Sequence, residues 1–427
     1  MQKALWPWMA LVACGGTGSG RPMPGASEPS HAEYTVVGTS LGGVEVSGTF
    51  VRTSETLSLE LLGSASNVFV EGGFERRSAT QLRARACAIR CAFRYAIAEP
   101  PSLVQSSKLL LMPEGRRPQE ASVRVRGNTI AALFGEGETR KLLFDKRREG
   151  APFAFGPMRA ASLERGLELV VLEPNAFVAP ESFDAWVKEA YGGVTAFYGQ
   201  RPVSTARVFL KPVPGRDEPL FGQALTLSGP AVTLLMGTET PPKALRADWT
   251  LVHELLHLGF PTVVGGRYLM EGLSTYFEPI VRARLGWHTA EAAWRELYRG
   301  MADVDDTPPL SERRGIDATY WGGAALLLSC DVALRRRTGR SLEGLLRQSL
   351  LRGRTSSDEL PVATILEELD GPNGGAGVLT ELFGRHAFRG EPFRMTKLFA
   401  ELGVRPDGSQ DDGAPLAGIR QSIMNAR

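Results

Sequence analysis

Residues 250–261 read TLVHELLHLGFP, and this stretch decides the fold of the second half of the chain. Apolar residues recur in and around it at helical spacing, which predicts a helix over 243–259. Positions i and i+4 of a helix lie on one face. His253 and His257 therefore point the same way, and two imidazoles at this spacing can bind one zinc ion. Glu254 follows the first histidine, where its carboxylate can take a proton from metal-bound water.

A second stretch, RYLMEGLSTYFE at 267–278, supplies a third candidate ligand. Its apolar residues predict another helix, over 268–285. An antiparallel packing of the two helices would bring Glu271 beside His253 and His257. Two histidines and one glutamate form a zinc site that leaves one coordination position for water. The sequence therefore predicts Zn²⁺ as the cofactor, held by these three residues.

These two motifs together resemble those of the gluzincin peptidases, whose second motif is aromatic-x-x-Glu-Gly-x-x-x-Tyr. A further stretch at 319–347, TYWGGAALLLSCDVALRRRTGRSLEGLLR, is similar to the glycyl aminopeptidase family, in which Tyr-x-Lys-Gly opens a helix. The resemblance covers residues 250–350 and implies a zinc metallopeptidase. It also implies that Tyr320 is catalytic, with a phenol that donates a hydrogen bond to the oxyanion of the tetrahedral intermediate.

The chain departs from that family in three places. Gly322 stands where the family has lysine, and the chain ends soon after the helical bundle, without room for the family's C-terminal PDZ module. Related aminopeptidases bind the substrate's α-ammonium through a glutamate upstream of HExxH, but residues 222–237, GQALTLSGPAVTLLMG, contain no acid. Aminopeptidase and endopeptidase activities therefore both stay open. An edge strand over 229–237 is expected to pair with an extended peptide or protein substrate.

Two other functions compete with peptide hydrolysis. A non-catalytic surface lipoprotein could use the peptidase fold as a scaffold for binding a partner, and the missing lysine and acid favour this alternative. A zinc hydrolase of a non-peptide amide or ester is the second alternative. The intact Glu254 beside three candidate ligands favours an enzyme, in which a metal-activated water attacks the peptide bond and Glu254 acts as general base.

The N-terminus resembles that of a bacterial lipoprotein. Lys3 precedes an apolar run over 4–13 that is too short to span a bilayer. Leu11-Val12-Ala13-Cys14 resembles a lipobox, which implies a signal peptide over 1–13 and a lipid on Cys14. A Gly-, Ser- and Pro-rich tether follows over 14–33. The prediction is a lipid-anchored protein of the bacterial cell envelope, on its periplasmic or surface side; an ordinary secretory signal is the alternative.

The whole chain has 427 residues, a formal net charge of +2 and 43% hydrophobic residues, which is a globular composition. This balance gives no reason to expect nucleic acid as a partner. Short alternating segments over 34–160 predict an all-β, sandwich-like domain, with 150–165 as the connection that follows it. Residues 161–427 predict a gluzincin-like catalytic domain, thermolysin-like in its small sheet and C-terminal helical bundle. The predicted fold class is a multidomain α+β protein.

Three cysteines lie beyond the predicted lipidation site. Cys87 and Cys91 are four residues apart, which is roughly 13 Å on one straight strand and too far for a disulfide. In a turn or helix they could pair, so the sequence leaves their bridging open. Cys330, inside ALLLSCDVAL, is expected to be a buried thiol.

Overall fold

The structure is a computed structural model, and it describes residues 32–425 apart from short gaps at 40–42, 52–57, 61–64, 79, 86–89, 114–118, 128–129, 132–138, 145–149, 226–228, 305–308, 314 and 372–373. The predicted signal peptide, Cys14, most of the predicted tether and Cys87 lie outside the described residues, so the lipid anchor stays a prediction. Cys91 forms a disulfide, and Cys330 is free and buried.

The chain divides into two compact units, the first ending at Pro157 and the second starting at Met158. The described part of the first unit contains one short helix, α1 (Ser106–Leu109), among its strands. These strands are β1 (Ala32–Gly38), β2 (Val44–Val51), β3 (Ser58–Glu60), β4 (Ala65–Val70), β5 (Phe74–Arg76), β6 (Gln81–Ala84), β7 (Arg90–Ile97), β8 (Leu103–Gln105), β9 (Met112–Pro113), β10 (Gln119–Arg126), β11 (Ile130–Ala131), β12 (Thr139–Phe144) and β13 (Pro152–Phe155). They form three sheets, with strand orders β12-β10-β1-β2-β7-β4, β5-β6-β3-β9 and β11-β13-β8.

Alternating side chains of the six-stranded sheet form an aromatic core in the first unit. The ring of Phe93 on β7 lies 5.4 Å from that of Tyr34 on β1 and 5.7 Å from that of Phe50 on β2. The buried Tyr34 hydroxyl donates a 2.6 Å hydrogen bond to the carbonyl of Leu111. Because one face of this sheet is buried, apolar and polar residues alternate along its strands. This alternation is the pattern that predicts strands in the sequence.

The second unit begins with a five-stranded sheet in the order β14-β15-β16-β18-β17. Its strands, with a separate two-stranded ladder of β19 and β20, are β14 (Met158–Glu164), β15 (Leu167–Leu172), β16 (Ala206–Val213), β17 (Pro219–Leu225), β18 (Ala231–Gly237), β19 (Thr262–Val264) and β20 (Glu359–Pro361). Strand β17 runs antiparallel to β18 and forms one edge of the five-stranded sheet.

Two sequence-based assignments in this region are wrong. The stretch 150–165 is not a plain connection, because it contains β13 and β14. The predicted edge strand at 229–237 corresponds to β18, which lies between β16 and β17. Most of its side chains are buried, which fits an interior strand of a sheet that is covered on both faces. The two edge strands of this sheet are β14 and β17.

Helices make up most of the rest of the second unit. They are α2 (Ser182–Tyr198), α3 (Pro242–Leu245), α4 (Thr250–His257), α5 (Arg267–Arg284), α6 (Ala290–Met301), α7 (Ile316–Thr338), α8 (Leu342–Leu351), α9 (Val362–Asp370), α10 (Val378–Leu382), which continues into a π-helical segment (Phe383–Phe388), α11 (Met395–Leu402) and α12 (Ala417–Asn425). Within the described ranges, no helix is both long and apolar enough to cross a membrane.

The helix predicted over 243–259 is broken into α3 and α4. The buried side chain of Asp248 accepts hydrogen bonds from the Thr250 hydroxyl, at 2.9 Å, and from the Leu251 amide, at 3.3 Å. A carboxylate that accepts from amides in the first turn favours a new helix start. The HExxH residues therefore lie on a short helix of eight residues with its own beginning.

The parallel helices α5 and α7 touch through glycine and are joined by a buried carboxylate. A Cβ atom on Gly323 would lie 1.9 Å from the carbonyl oxygen of Tyr268, so no larger residue fits at this crossing. Further along, Asp331 is fully buried. It accepts hydrogen bonds from the Tyr276 hydroxyl of α5 at 2.9 Å and from the Leu342 amide of α8 at 2.7 Å. One side chain thus connects three helices.

We expect Asp331→Ala to lower the free energy of unfolding by about 2–4 kcal/mol, because it leaves buried hydrogen-bond donors on two neighbouring helices without an acceptor. Urea unfolding followed by circular dichroism measures the change. The matched control is Tyr276→Phe, which removes only one of the bonds and should cost about 1 kcal/mol. Equal losses in the two variants would contradict the role given to Asp331.

Candidate metal centre and catalytic residues

Helix α4 places both histidines of the HExxH motif on one face. The two imidazole centroids are 5.0 Å apart, and His253 is only 1% exposed. The helix is held from behind by Tyr198 of α2, whose hydroxyl donates to the Leu256 carbonyl at 2.8 Å. The tyrosine ring lies so close to the end of α4 that a Cβ on Gly259 would come within 2.4 Å of it.

Glu271, in the second turn of α5, completes the group. Its Oε2 atom lies 3.3 Å from Nε2 of His253 and 3.4 Å from Nε2 of His257. Zinc binds histidine and carboxylate at roughly 2.0–2.2 Å, so two donors of a tetrahedral site lie about 3.3 Å apart. Each histidine nitrogen is therefore spaced from Glu271 as two zinc ligands would be, and the three ligand atoms lie within 4.8 Å of one another. Across the part of the chain that the structure describes, they are the one group of three that could hold a metal ion.

The charges of these three groups are strongly coupled. Burial acts to raise the pKa of Glu271, but hydrogen bonds with His253 and His257 outweigh it and hold this pKa well below the usual range. Burial acts to lower the pKa of His257, and the hydrogen bond and charge of Glu271 raise it instead. The carboxylate is thus ionised, which is the state in which it can bind a metal.

Glu254 lies beside the edge strand of the sheet. Its Oε2 accepts a 2.7 Å hydrogen bond from the backbone amide of Ala224 on β17. The strand approaches closely, because a Cβ on Gly222 would lie 2.6 Å from Cγ of Glu254. Burial raises the pKa of Glu254, which suits a carboxylate that must accept and return a proton. Sequence reasoning did not identify Gly222 and Ala224, which carry no chemical side chain.

Tyr320, in the second turn of α7, lies against the first histidine. Its ring stacks on that of His253 with centroids 5.5 Å apart and planes 9° from parallel. Burial, followed by the charges of Glu271 and Glu254, raises the pKa of the Tyr320 phenol well above its usual value. The hydroxyl therefore keeps its proton and can act as a hydrogen-bond donor. All five residues predicted for the site lie in one group.

Behind α4 lies a cluster of buried charges that the sequence did not reveal. Arg282 of α5 pairs with Glu278 in the interior and with Glu296 of α6 at 2.9 Å. Burial raises the pKa of nearby Asp248 to about 6, although its bonds to the start of α4 act the other way. Since Asp248 accepts hydrogen bonds from Thr250 and Leu251 at the start of α4, this cluster supports the helix that carries the histidines.

Comparisons with known proteins identify the fold. No family profile matches the sequence, and no curated protein matches it. Among solved structures, an aminopeptidase N family protein from Idiomarina loihiensis superposes with a TM-score of 0.61 at 12% identity, over 87% of this chain and 78% of that one. Yeast LTA4 hydrolase, solved in complex with bestatin, gives a TM-score of 0.52 at 11% identity, over 85% and 67% of the two chains.

Native leukotriene A4 hydrolase from Saccharomyces cerevisiae superposes with a TM-score of 0.51 at 11% identity, over 86% of this chain and 69% of that one. The chain therefore shares a mixed α+β fold with the aminopeptidase N family protein and with yeast LTA4 hydrolase.

We expect the purified wild-type protein to bind about one zinc ion per chain after chelation and reloading. His257→Ala and Glu271→Ala should each weaken zinc binding by more than about 100-fold, since even the outer-shell partners of metal ligands contribute about 10–100-fold. Metal analysis after dialysis against zinc buffers checks this. His386→Ala is the control, because His386 is occupied by a 2.7 Å contact with the Glu391 carbonyl. Full zinc retention in both ligand variants would rule the site out.

Proposed function

We propose that this chain is a zinc peptidase with His253, His257 and Glu271 as metal ligands. The observation that carries the proposal is that the nitrogens of both histidines lie 3.3–3.4 Å from Oε2 of Glu271, next to the buried Glu254. A structural zinc site has four protein ligands, whereas three ligands leave a position for water, as in hydrolytic sites. The gluzincin fold supports the same conclusion.

The chemistry follows from the residues around the metal position. A zinc ion bound there supplies a Lewis acid that acidifies water and polarises a carbonyl group. Glu254 takes the proton from the attacking water and passes it to the leaving amine. The amide of Ala224 fixes one oxygen of that carboxylate, so the other stays available for the proton. Tyr320 donates its phenolic hydrogen bond to the oxyanion of the tetrahedral intermediate.

The substrate we propose is a peptide in extended conformation. Strand β17 is an edge strand, and the Ala224 amide points to Glu254, away from β18. A peptide that pairs with this edge brings its main chain past the catalytic glutamate. The strand has no acidic residue to bind an α-ammonium. Aminopeptidase and endopeptidase cleavage are both compatible with this edge, as are the alternatives of a non-catalytic binding protein and of amide or ester hydrolysis.

We expect Glu254→Gln to retain zinc and to lose peptidase activity to the background rate, because the amide cannot accept the proton from water. A peptide-library digest analysed by mass spectrometry, with and without a chelator, gives the wild-type activity and the residual activity of the variant. Metal analysis of the same sample is the control. Cleavage by the zinc-loaded variant at the wild-type rate would refute the mechanism, and no cleavage by zinc-loaded wild type would favour the binding-protein alternative.

Tyr320→Phe should lower kcat by about 10²–10³-fold without loss of zinc, because one oxyanion donor of this kind contributes roughly that factor. Steady-state kinetics on a peptide found in the digest measures the effect. Tyr298→Phe is the matched control, since that tyrosine packs against Phe399 at a ring distance of 4.8 Å. A rate equal to that of wild type would remove Tyr320 from the catalytic group.

A further inference from the structure

Arg267 is a cation at the rim of the proposed metal site. It is the first residue of α5, one turn before Glu271, and its side chain is 64% exposed. Its Nε atom lies 3.4 Å from Oε1 of Glu271. The oxygen of Glu271 that faces the histidines is the other one, Oε2. Arg267 can therefore stay in place while Glu271 binds a metal ion.

The stability of α5 does not explain an arginine at this position. The amino-terminal end of a helix carries a partial positive charge, so a cation in the first turn is unfavourable. An arginine that precedes its glutamate by four residues also forms the weaker of the two pair orientations. A pair this exposed contributes little to folding. The first turn of α5 contains no acidic residue that would offset the charge.

The guanidinium is close to the catalytic groups. Its Nε atom lies 3.4 Å from a carboxylate oxygen of Glu271, and its charge acts on both His257 and Tyr320. A guanidinium has five N–H donors in a planar fork. The contact with Glu271 occupies only part of that fork, and the exposed remainder can reach a substrate that lies beside Glu271.

The charges of the site also favour an anion there. With a divalent metal ion bound, the two carboxylates Glu254 and Glu271 balance the metal, and Arg267 leaves the group with one positive charge in excess. Strand β17 supplies no acid to reverse that sign. The local field therefore repels an ammonium group and attracts a carboxylate.

Building on the proposed peptidase function, we propose that Arg267 determines specificity by binding a substrate carboxylate next to the scissile bond. Arginine binds carboxylates through two parallel N–H···O bonds, which gives both affinity and orientation. The carboxylate can come from an acidic side chain or from the free C-terminus of a short peptide. The preferred substrates are then acidic or C-terminal peptides, in contrast to peptides selected by their α-ammonium.

Binding can be measured without turnover in the zinc-loaded Glu254→Gln protein. Two peptide pairs are titrated by calorimetry: one pair differs only by Glu or Gln beside the central bond, and the other by a C-terminal acid or amide. We expect the charged member of at least one pair to bind about tenfold tighter, a difference typical of a charge-assisted hydrogen bond. The pair that shows the preference identifies the source of the carboxylate.

Adding Arg267→Met to the same protein should abolish the preference and leave the binding of the neutral peptide within about threefold, while Arg267→Glu should reverse it in favour of a Lys-containing peptide. The control is Arg337→Met, which removes another exposed arginine. Arg337 lies at the far end of α7 and pairs with Glu381.

Equal binding of charged and neutral peptides, or a preference that survives Arg267→Met, overturns the proposal. So does an equal loss for both peptides together with weaker zinc binding, since that result assigns Arg267 to positioning Glu271. Failure of the peptidase function would instead appear as no turnover by wild type while the charge preference persists.

Discussion

The contact between α5 and α7 at Gly272 and Gly323 is the constraint on which the proposed site depends. A Cβ on Gly272 would lie 2.4 Å from the backbone of Gly323, so these two helices meet backbone to backbone. Glu271 directly precedes one glycine, and Tyr320 lies one turn before the other. A wider crossing would separate the carboxylate from the phenol and move both away from His253. The site is therefore built by rigid helix packing, which sets geometry more narrowly than loops do.

Two glutamates of this site show how packing differentiates identical side chains. Glu254 is buried with a single amide donor, and its pKa rises. Glu271 lies partly buried between two imidazoles, and its pKa falls. One carboxylate is thus prepared to bind a proton and the other to remain ionised. Paired carboxyl groups whose pKa values are shifted in opposite directions take different roles in many active sites. Here the two directions agree with the roles proposed for Glu254 as general base and Glu271 as metal ligand.

The sequence predicts those parts of the fold and site that depend on local spacing. The histidines of α4 follow from a separation of four residues, and Glu271 follows from a second periodic helix with its own motif. The partner of Glu254 could not be predicted, because Ala224 is thirty residues away and contributes only a backbone amide. The edge strand was assigned wrongly for a related reason. Apolar pattern identifies β18 as a strand, but strand order within a sheet is set by long-range pairing that no short window contains.

The fold and the specificity of this protein depend on different residues. A fold can host many activities, so specificity must be argued from the site. The resemblance to the gluzincin peptidases accounts for the proposed metal ligands and for the proposed roles of Glu254 and Tyr320, but not for an arginine at the start of α5. Helix electrostatics disfavour that residue, and β17 lacks an acid that would bind an amine. Both features make the electrostatic potential at the rim of the site more positive. Binding of a substrate carboxylate is the simplest explanation for a cation at the end of a helix that disfavours positive charge.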